Sequence, residues 1–435
     1  MADPRHLAVS LLNKTFAGGS YSNIQLSCGL DSSDMSDRDK RLCSALYYGV
    51  IERRITLDHI IGGLSSRPLH KLDSIILNIL RCGIYQLLYM ESIPDNAAVN
   101  ESVALAKKFG KSSASGMVNA ILRNFIRADK VFPVPMDLIH SAEIIYSAPE
   151  WLVESLTAEY GTELARDLLS NALEKAPTVV RRNNVRCGEE EFLSSLDGVG
   201  AVKYECIPNC YELSNGAVTP LSGFAKGFFH VQDKASQLCC MALAPNENDR
   251  VLDVCAAPGG KTFTMAEMMN GKGSISAFDL HEKRVKLIRS GAERLGLSNI
   301  TAAAGDASVF DPQLGKFNKI LCDVPCSGLG AVRRKPEIKY KDPSDFDRLP
   351  EIQYNIAENA LRYLDVGGEL VYSTCTLRKV ENEQVIERLL NSHPELEPVS
   401  FLLELGEPFG NFCASIFPKY FGSDGFFISK VRKVR

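Results

Sequence analysis

Val251-Leu252-Asp253-Val254-Cys255-Ala256-Ala257-Pro258-Gly259-Gly260-Lys261-Thr262 decides the fold. The stretch opens on a short apolar run that reads as a buried strand, passes through a proline and two glycines, and continues into a helical run at 261–269. Working outward, strand-like runs recur at 274–278, 300–304, 319–322 and 369–373, and helical runs at 281–295 and 349–364. Such alternation predicts an α/β fold, a parallel, doubly wound sheet with helices on both faces. Two more apolar runs, 414–417 and 425–431, flank a turn and predict a closing antiparallel hairpin. In such Rossmann-like sheets a ligand lies beyond the carboxyl ends of the strands, at the switch point.

What the turn binds follows from what it lacks. Gly260-Lys261-Thr262 matches the tail of a phosphate-binding loop, but Cys255 stands where that motif requires glycine, which removes part of the backbone nest. The G-x-G-x-x-G spacing of dinucleotide sites is absent as well. A structural turn without a ligand would account for the glycines alone. Two carboxylates favour a ligand. Asp279 closes the second strand, where a carboxylate takes ribose hydroxyls, and Asp306 follows the third, where it is placed to accept from an adenine amino group. Together they describe an adenosine site without pyrophosphate, for which S-adenosyl-L-methionine is the natural occupant.

Two cysteines stand at strand ends. The fourth strand runs into Asp323-Val324-Pro325-Cys326-Ser327-Gly328 and the fifth into Ser373-Thr374-Cys375-Thr376. If these strands are neighbours, both thiols open onto one cleft. A thiolate is what cytosine C5 chemistry needs: addition to C6 makes C5 enamine-like, and covalent catalysis divides one hard step into easier ones. The thiol must ionise, which calls for a nearby cation or dipole. Asp323 is placed to stabilise a pyrimidine protonated at N3.

The rest of the chain frames this domain. Residues 1–130 read as an all-α bundle: Leu42, Leu46 and Val50 share one face, as do Leu72, Ile75, Ile76, Ile79 and Leu80. Asp95 or Asn96 is expected to cap a helix over 97–109 that ends at Gly110, and another helix is expected over 116–127. Pro133 and Pro135 mark a linker. Residues 145–240 mix a helix at 151–171 with strand-like runs such as 178–182, whose Arg181 and Arg182 read as exposed arginines able to touch phosphate. The expected domains are 1–130, 145–240 and 241–435. Among 13 cysteines, Cys43, Cys82 and Cys322 lie in apolar periodic segments and behave as small hydrophobes; Cys206 and Cys210 lack a second pair at zinc spacing, so no metal is expected.

In 435 residues, 45% hydrophobic and 23% charged, no apolar run is long enough to cross a bilayer, and the N-terminus lacks a signal-peptide layout. A soluble, monomeric, cytoplasmic protein is expected. The net charge of −4 does not announce nucleic acid; only the cluster Arg333, Arg334, Lys335, Lys339 and Lys341 does, and alone it reads as a solvated loop.

The order Asp39-Lys40-Arg41, Gly49-Val50, Leu57-Asp58, Leu80-Arg81-Cys82-Gly83-Ile84-Tyr85-Gln86-Leu87 and Val118-Asn119-Ala120-Ile121-Leu122-Arg123 resembles the NusB fold, an RNA-binding helical module. The Pro-Cys and Thr-Cys pair, with Ala256-Ala257-Pro258-Gly259-Gly260-Lys261, resembles the RNA 5-methylcytosine methyltransferases of the Nol/Nop/Sun superfamily, and with the NusB-like N-terminus the bacterial RsmB (Sun/Fmu) group. Val231-Gln232-Asp233-Lys234-Ala235-Ser236, Arg333-Arg334-Lys335-Pro336 and Asp424-Gly425-Phe426-Phe427 extend the resemblance over nearly the whole chain; Val324 and Tyr340 stand where alanine and tryptophan are commoner. It implies methylation of a 16S rRNA cytosine (the position-967 type) from S-adenosylmethionine. Cys375 is then the nucleophile and Cys326 assists release. Cys255, Ala256, Ala257, Pro258, Gly259, Gly260, Lys261, Asp279, Asp306 and Asp323 contact the cofactor, and Arg333, Arg334 and Lys335 contact RNA. The rival is a DNA-type cytosine methyltransferase with Cys326 as nucleophile; a second rival is an RNA-tethering module without catalysis.

Overall fold

A computed structural model describes residues 3–18, 22–214, 216–401 and 412–435. The chain forms two compact units, Met1–Glu174 with Val332–Lys341, and Lys175–Ala331 with Asp342–Arg435.

The first unit is helical throughout, in line with the absence of strand signal. The expected apolar faces close its core: Leu46, Val50, Ile76, Ile79, Leu80, Val99 and Ala106 are buried, with Leu42, Leu72, Ile75 and Val103 at the edge. Within it Arg81 grips Asp58 as a fork, Nε to Oδ1 and an Nη to Oδ2 both at 2.7 Å. Helix Asp95–Lys108 starts two residues earlier than expected, because Pro94 precedes it and Asn96 Oδ1 accepts only from the Ala97 N–H. The helical run Glu150–Asn171 is interrupted at Gly161, whose φ of 78° is not helical. Both this run and helix Leu138–Tyr146 belong to the helical unit. Among the described residues no helix is long and apolar enough to cross a membrane.

The second unit holds two sheets. Strands β1 (Thr178–Arg182), β2 (Ala201–Lys203), β3 (Cys210–Leu213) and β4 (Phe229–Val231) form a small antiparallel sheet in the order β2-β3-β1-β4. Arg181 is not the exposed arginine its surroundings suggested. Its side chain is buried, its Nε lies 2.8 Å from Glu267 Oε2, and it donates to Pro208 O. Arg182 donates to Cys187 O and Asn209 Oδ1. Alternation along β1 turns Arg181 toward the helix Gly260–Met268 that bears Glu267, a burial that paired charges permit.

The large sheet contains β5 (Arg250–Asp253), β6 (Ser274–Asp279), β7 (Ile300–Ala304), β8 (Phe317–Asp323), β9 (Leu364–Thr374), β10 (Leu396–Pro398), β11 (Cys413–Ile416) and β12 (Phe426–Lys433). Its order is β10-β12-β9-β8-β5-β6-β7, with β11 beside β12. Strands β5 to β9 run parallel; β12 is antiparallel to β9, β10 and β11. The chain winds outward from β5 through β6 and β7, then returns to β8 on the other side, so the switch point lies between β5 and β8. Successive residues point to opposite faces. Val251, Leu321, Val371 and Ile428 pack with helices Lys234–Leu243 and Gly260–Met268; Leu252, Ile320, Leu370 and Phe427 pack with helices Leu349–Leu361 and Glu383–Ser392. Strand β9 begins five residues before the expected 369, where Leu364 pairs with Phe317.

Candidate active site

The ends of β5, β6, β7, β8 and β9 bring the sequence-derived residues together. Beyond β5 the chain turns at Gly259, whose φ is 112° and where a Cβ would stand 2.3 Å from the Phe263 ring. Asp253, fully buried, accepts from Thr262 Oγ1 at 2.7 Å, and burial pushes its carboxyl up to about 7. Cys255 follows in the turn, its thiol also pushed up by burial.

Asp279 ends β6 with its side chain 3% exposed, paired to an Arg284 Nη at 2.9 Å. The other Arg284 Nη donates to Ala257 O at 2.7 Å, so one guanidinium ties the β6 carboxylate to the glycine turn. Sequence reasoning missed Arg284; its place in the first turns of the helix after β6 was the available signal. Asp306, after β7, accepts from both N–H and Oγ of Ser308, which holds it below the usual carboxylate range. Beside it opens a cavity of ≈ 260 Å³ with an apolar lining that includes Leu252, Val254, Phe278, Val309 and Tyr363.

Beyond β8 and β9, which pair through Asp323 and Ser373, the two thiols meet: Cys326 Sγ lies 3.3 Å from Cys375 Sγ. The hydrogen bond with Cys375, then burial, holds the Cys326 thiol well above its usual value, so a second thiolate beside the first is disfavoured. Asp323 accepts from Ser373 Oγ at 2.8 Å and pairs with Lys261 Nζ at 2.7 Å. Burial alone would lower Lys261; the Asp323 charge outweighs it and raises it. Gly330 N–H donates to Cys375 O at 3.0 Å, and Gly425 N–H donates to Gly330 O at 2.8 Å. The crossing is so close that a Cβ on Gly330 would stand 2.0 Å from Gly425 O. Glu381 and Asn382, both fully buried just after the Cys375 loop, were also missed; nothing in their spacing distinguishes them from an ordinary helix start.

The basic run is not the solvated loop that its charges alone suggest. Residues Val332–Lys341 belong to the helical unit, where Arg333 and Arg334 are half-buried and Lys335 is exposed. Lys339 is withdrawn from any RNA surface: it is 1% exposed, donates to Glu52 O at 2.7 Å, and burial pushes it down to about 7. Tyr340 lies under the Arg54 guanidinium at 3.9 Å and packs on the helical core. Among the described residues no group of three or more His, Cys, Asp and Glu side chains is placed to hold a metal ion.

Comparison with known proteins agrees with this arrangement. The model of the family described as 16S rRNA methyltransferase RsmB/F matches residues 240–432. That of the NusB family matches residues 2–127, and that of the RsmF/B-like ferredoxin-like domain residues 148–218. The chain is 36% identical over 442 residues to the probable ribosomal RNA small subunit methyltransferase B of Bacillus subtilis (strain 168), covering 99% of this chain and 98% of the relative. It is 34% identical over 445 residues to the protein of the same name from Synechocystis sp. (strain ATCC 27184 / PCC 6803 / Kazusa), covering 100% of both. The crystal structure of PH0851 shares the fold, with a TM-score of 0.83 at 24% identity over 100% of this chain and 99% of that one.

Proposed function

The chain belongs to the RsmB/F family of 16S rRNA methyltransferases, and from that premise we propose that it methylates C5 of a 16S rRNA cytosine, of the position-967 type, through a covalent Cys375 adduct. The observation that carries this reading is the 3.3 Å approach of Cys326 and Cys375 at the ends of adjacent strands.

The cofactor site suits S-adenosylmethionine better than a nucleotide phosphate. Lys261, the one lysine of the glycine turn, is engaged by Asp323 and offers no free cation to a phosphate. The apolar cavity beside Asp306 accepts a purine. Residues 255–261 would line the cofactor, with Asp279 at the ribose, Asp306 at the adenine and Asp323 nearby. When bound, S-adenosylmethionine supplies an electrophilic methyl group.

The protein's own residues do the rest. Cys375 adds as thiolate to cytosine C6, placing electron density on C5. Asp323, fixed by Lys261 and Ser373, faces the base as a hydrogen-bonding partner for N3. After C5 is methylated, its proton passes to a base or water at the site, the C5–H electrons re-form the C5–C6 double bond, and Cys375 leaves C6 as thiolate. Cys326, 3.3 Å from the departing sulfur, assists that step by hydrogen-bonding the thiolate as the C6–S bond breaks. Residues 1–130 serve as the NusB-like RNA-binding domain, 145–240 as a connecting α+β domain and 241–435 as the catalytic domain. Arg333, Arg334 and Lys335 supply RNA contacts, and the protein acts as a cytoplasmic monomer without a metal.

Tritium transfer from labelled S-adenosylmethionine to unmodified 16S rRNA tests the reading. Wild type labels the RNA, Cys375→Ala is inactive, and Cys326→Ala accumulates a covalent protein–RNA complex. Methylation by Cys375→Ala would assign the nucleophile elsewhere.

A further inference from the structure

Two adjacent residues reach both cysteine loops. Asn382 Oδ1 accepts from Thr374 Oγ1 at 2.6 Å and its Nδ2 donates to Thr376 O at 3.0 Å, so one amide grips the residues on either side of Cys375. Glu381 Oε2 accepts from the Ser327 N–H at 2.8 Å and from Gln353 Nε2 at 3.0 Å; the same Gln353 nitrogen donates to Pro325 O at 3.0 Å. Pro325 and Ser327 are the residues on either side of Cys326. Glu381, Asn382 and Gln353 are all fully buried. Arg378, 3.2 Å from Glu381 Oε1, supplies the counter-charge. Ser327 Oγ donates to Thr376 Oγ1 at 2.8 Å and joins the two loops directly.

The physics of these contacts points past simple stability. Neither loop is strand or helix at its cysteine, so backbone ladders do not fix either sulfur. The buried Ser327 N–H needs an acceptor, and an ionised carboxylate makes the stronger, shorter bond. Reacting groups must be held to within about half an ångström of the productive geometry, by partners whose own rotamers are locked. Asn382 touches only the nucleophile's loop. Glu381 Oε2, through Ser327 and Gln353, acts on the loop of the second thiol, while its other oxygen meets Arg378 beyond Cys375.

We propose that Glu381 and Asn382 are the positioning residues of the methyl transfer, Asn382 aiming Cys375 for attack and Glu381 aiming Cys326 for release. This inference rests on the two-thiol reading above. It divides the reaction in two: loss of the amide impairs adduct formation, whereas loss of the carboxylate impairs adduct breakdown. A merely structural role would slow both steps in proportion.

The experiment uses the full-length protein, unmodified 16S rRNA and labelled S-adenosylmethionine, following single-turnover methyl transfer and the covalent complex on denaturing gels. Asn382→Ala is expected to slow adduct appearance about 100-fold, the scale of an ångström misplacement, without accumulating complex. Glu381→Ala and the milder Glu381→Gln are expected to transfer the first methyl within a few-fold of wild type while the complex persists about tenfold longer or more. If Glu381→Ala does not fold, Glu381→Gln and Gln353→Met carry this arm. Cys375→Ala and Cys326→Ala are run in parallel. If Cys326→Ala fails to accumulate complex, the two-thiol reading falls and this inference with it. If Cys326→Ala accumulates complex but the Glu381 and Asn382 variants slow both steps equally, or leave the lifetime unchanged, the positioning inference alone is overturned.

Discussion

Lys261 and Lys339 are both lysines largely removed from water, one in each compact unit, and they answer burial in opposite ways. Burial disfavours an ammonium at either place. Lys261 meets the negative charge of Asp323 and is raised; Lys339 donates to the carbonyl of Glu52, and burial, with Arg53 and Arg54 nearby, outweighs the pull of the more distant Glu52 charge and pushes it down to about 7. A dipole satisfies a hydrogen bond but does not repay the desolvation of a charge. The catalytic unit therefore keeps a fixed cation in its cleft at every physiological pH, while the helical unit holds one on the edge of titration.

The strongest way to break this comparison is to remove the partner of Lys261. Asp323→Ala leaves that ammonium without its carboxylate, with the Phe426 ring at 5.0 Å, a change of about 3–5 kcal/mol, and it should lower methyl transfer by at least about 100-fold. Single-turnover labelling of 16S rRNA, with a thermal melt to confirm folding, measures both. Next comes a third buried cation. Arg181→Met leaves the buried Glu267 without its arginine, beside His230 Nδ1 at 3.2 Å, and should cost about 3–5 kcal/mol in urea unfolding, whereas Arg181→Met combined with Glu267→Leu should recover most of it. Failure of the double variant to recover would mean that the pair fixes the packing of β1 on its helix beyond its charge.

Lys339 offers a test with a definite sign. Its folded pKa, about 7, lies below the ordinary lysine value, so between the two the unfolded chain carries more protons. Stability should then rise with pH from about 7 upward, by at most about 1.4 kcal/mol per unit. Lys339→Met should remove that slope and gain stability below pH 7. Urea unfolding of both proteins from pH 6 to 9 checks it; equal slopes would show Lys339 to be charged in place. The smallest effect is expected from Glu52→Gln. Lys339 bonds to the backbone of Glu52 and feels its carboxylate only through space, so stability at pH 7.5 should move by less than about 1 kcal/mol, with Lys339 pushed further down.

Part of this architecture is legible in the amino-acid sequence. Strand alternation places β5 to β8 within a residue or two, because a parallel sheet covered on both faces demands continuous apolar runs. The two cysteines stand out by falling where parallel strands end. The brace on them does not: Gln353 and Glu381 reach the Cys326 loop from positions whose sequence neighbourhoods look like plain helix and turn. Charge runs mislead for a related reason. Arg181 and Lys339 sit among polar neighbours, and only tertiary packing decides that one pairs with Glu267 and the other with a helix-end carbonyl.

The placement of Val332–Lys341 bears on how such a protein came to be built. The polypeptide leaves the catalytic fold six residues after Cys326, lies down among the N-terminal helices, and returns. The helical part is therefore no detachable bead at one end of a string. Shortening the gene to begin at residue 175 would strip a ten-residue excursion of its bed, and shuffling the N-terminal part for another bundle would have to reproduce a seat for Lys339 and Tyr340. Ancestry of these parts as separate genes is compatible with this only if the excursion and its seat changed together after fusion, so exchanges between distant relatives should succeed when both are swapped as one piece.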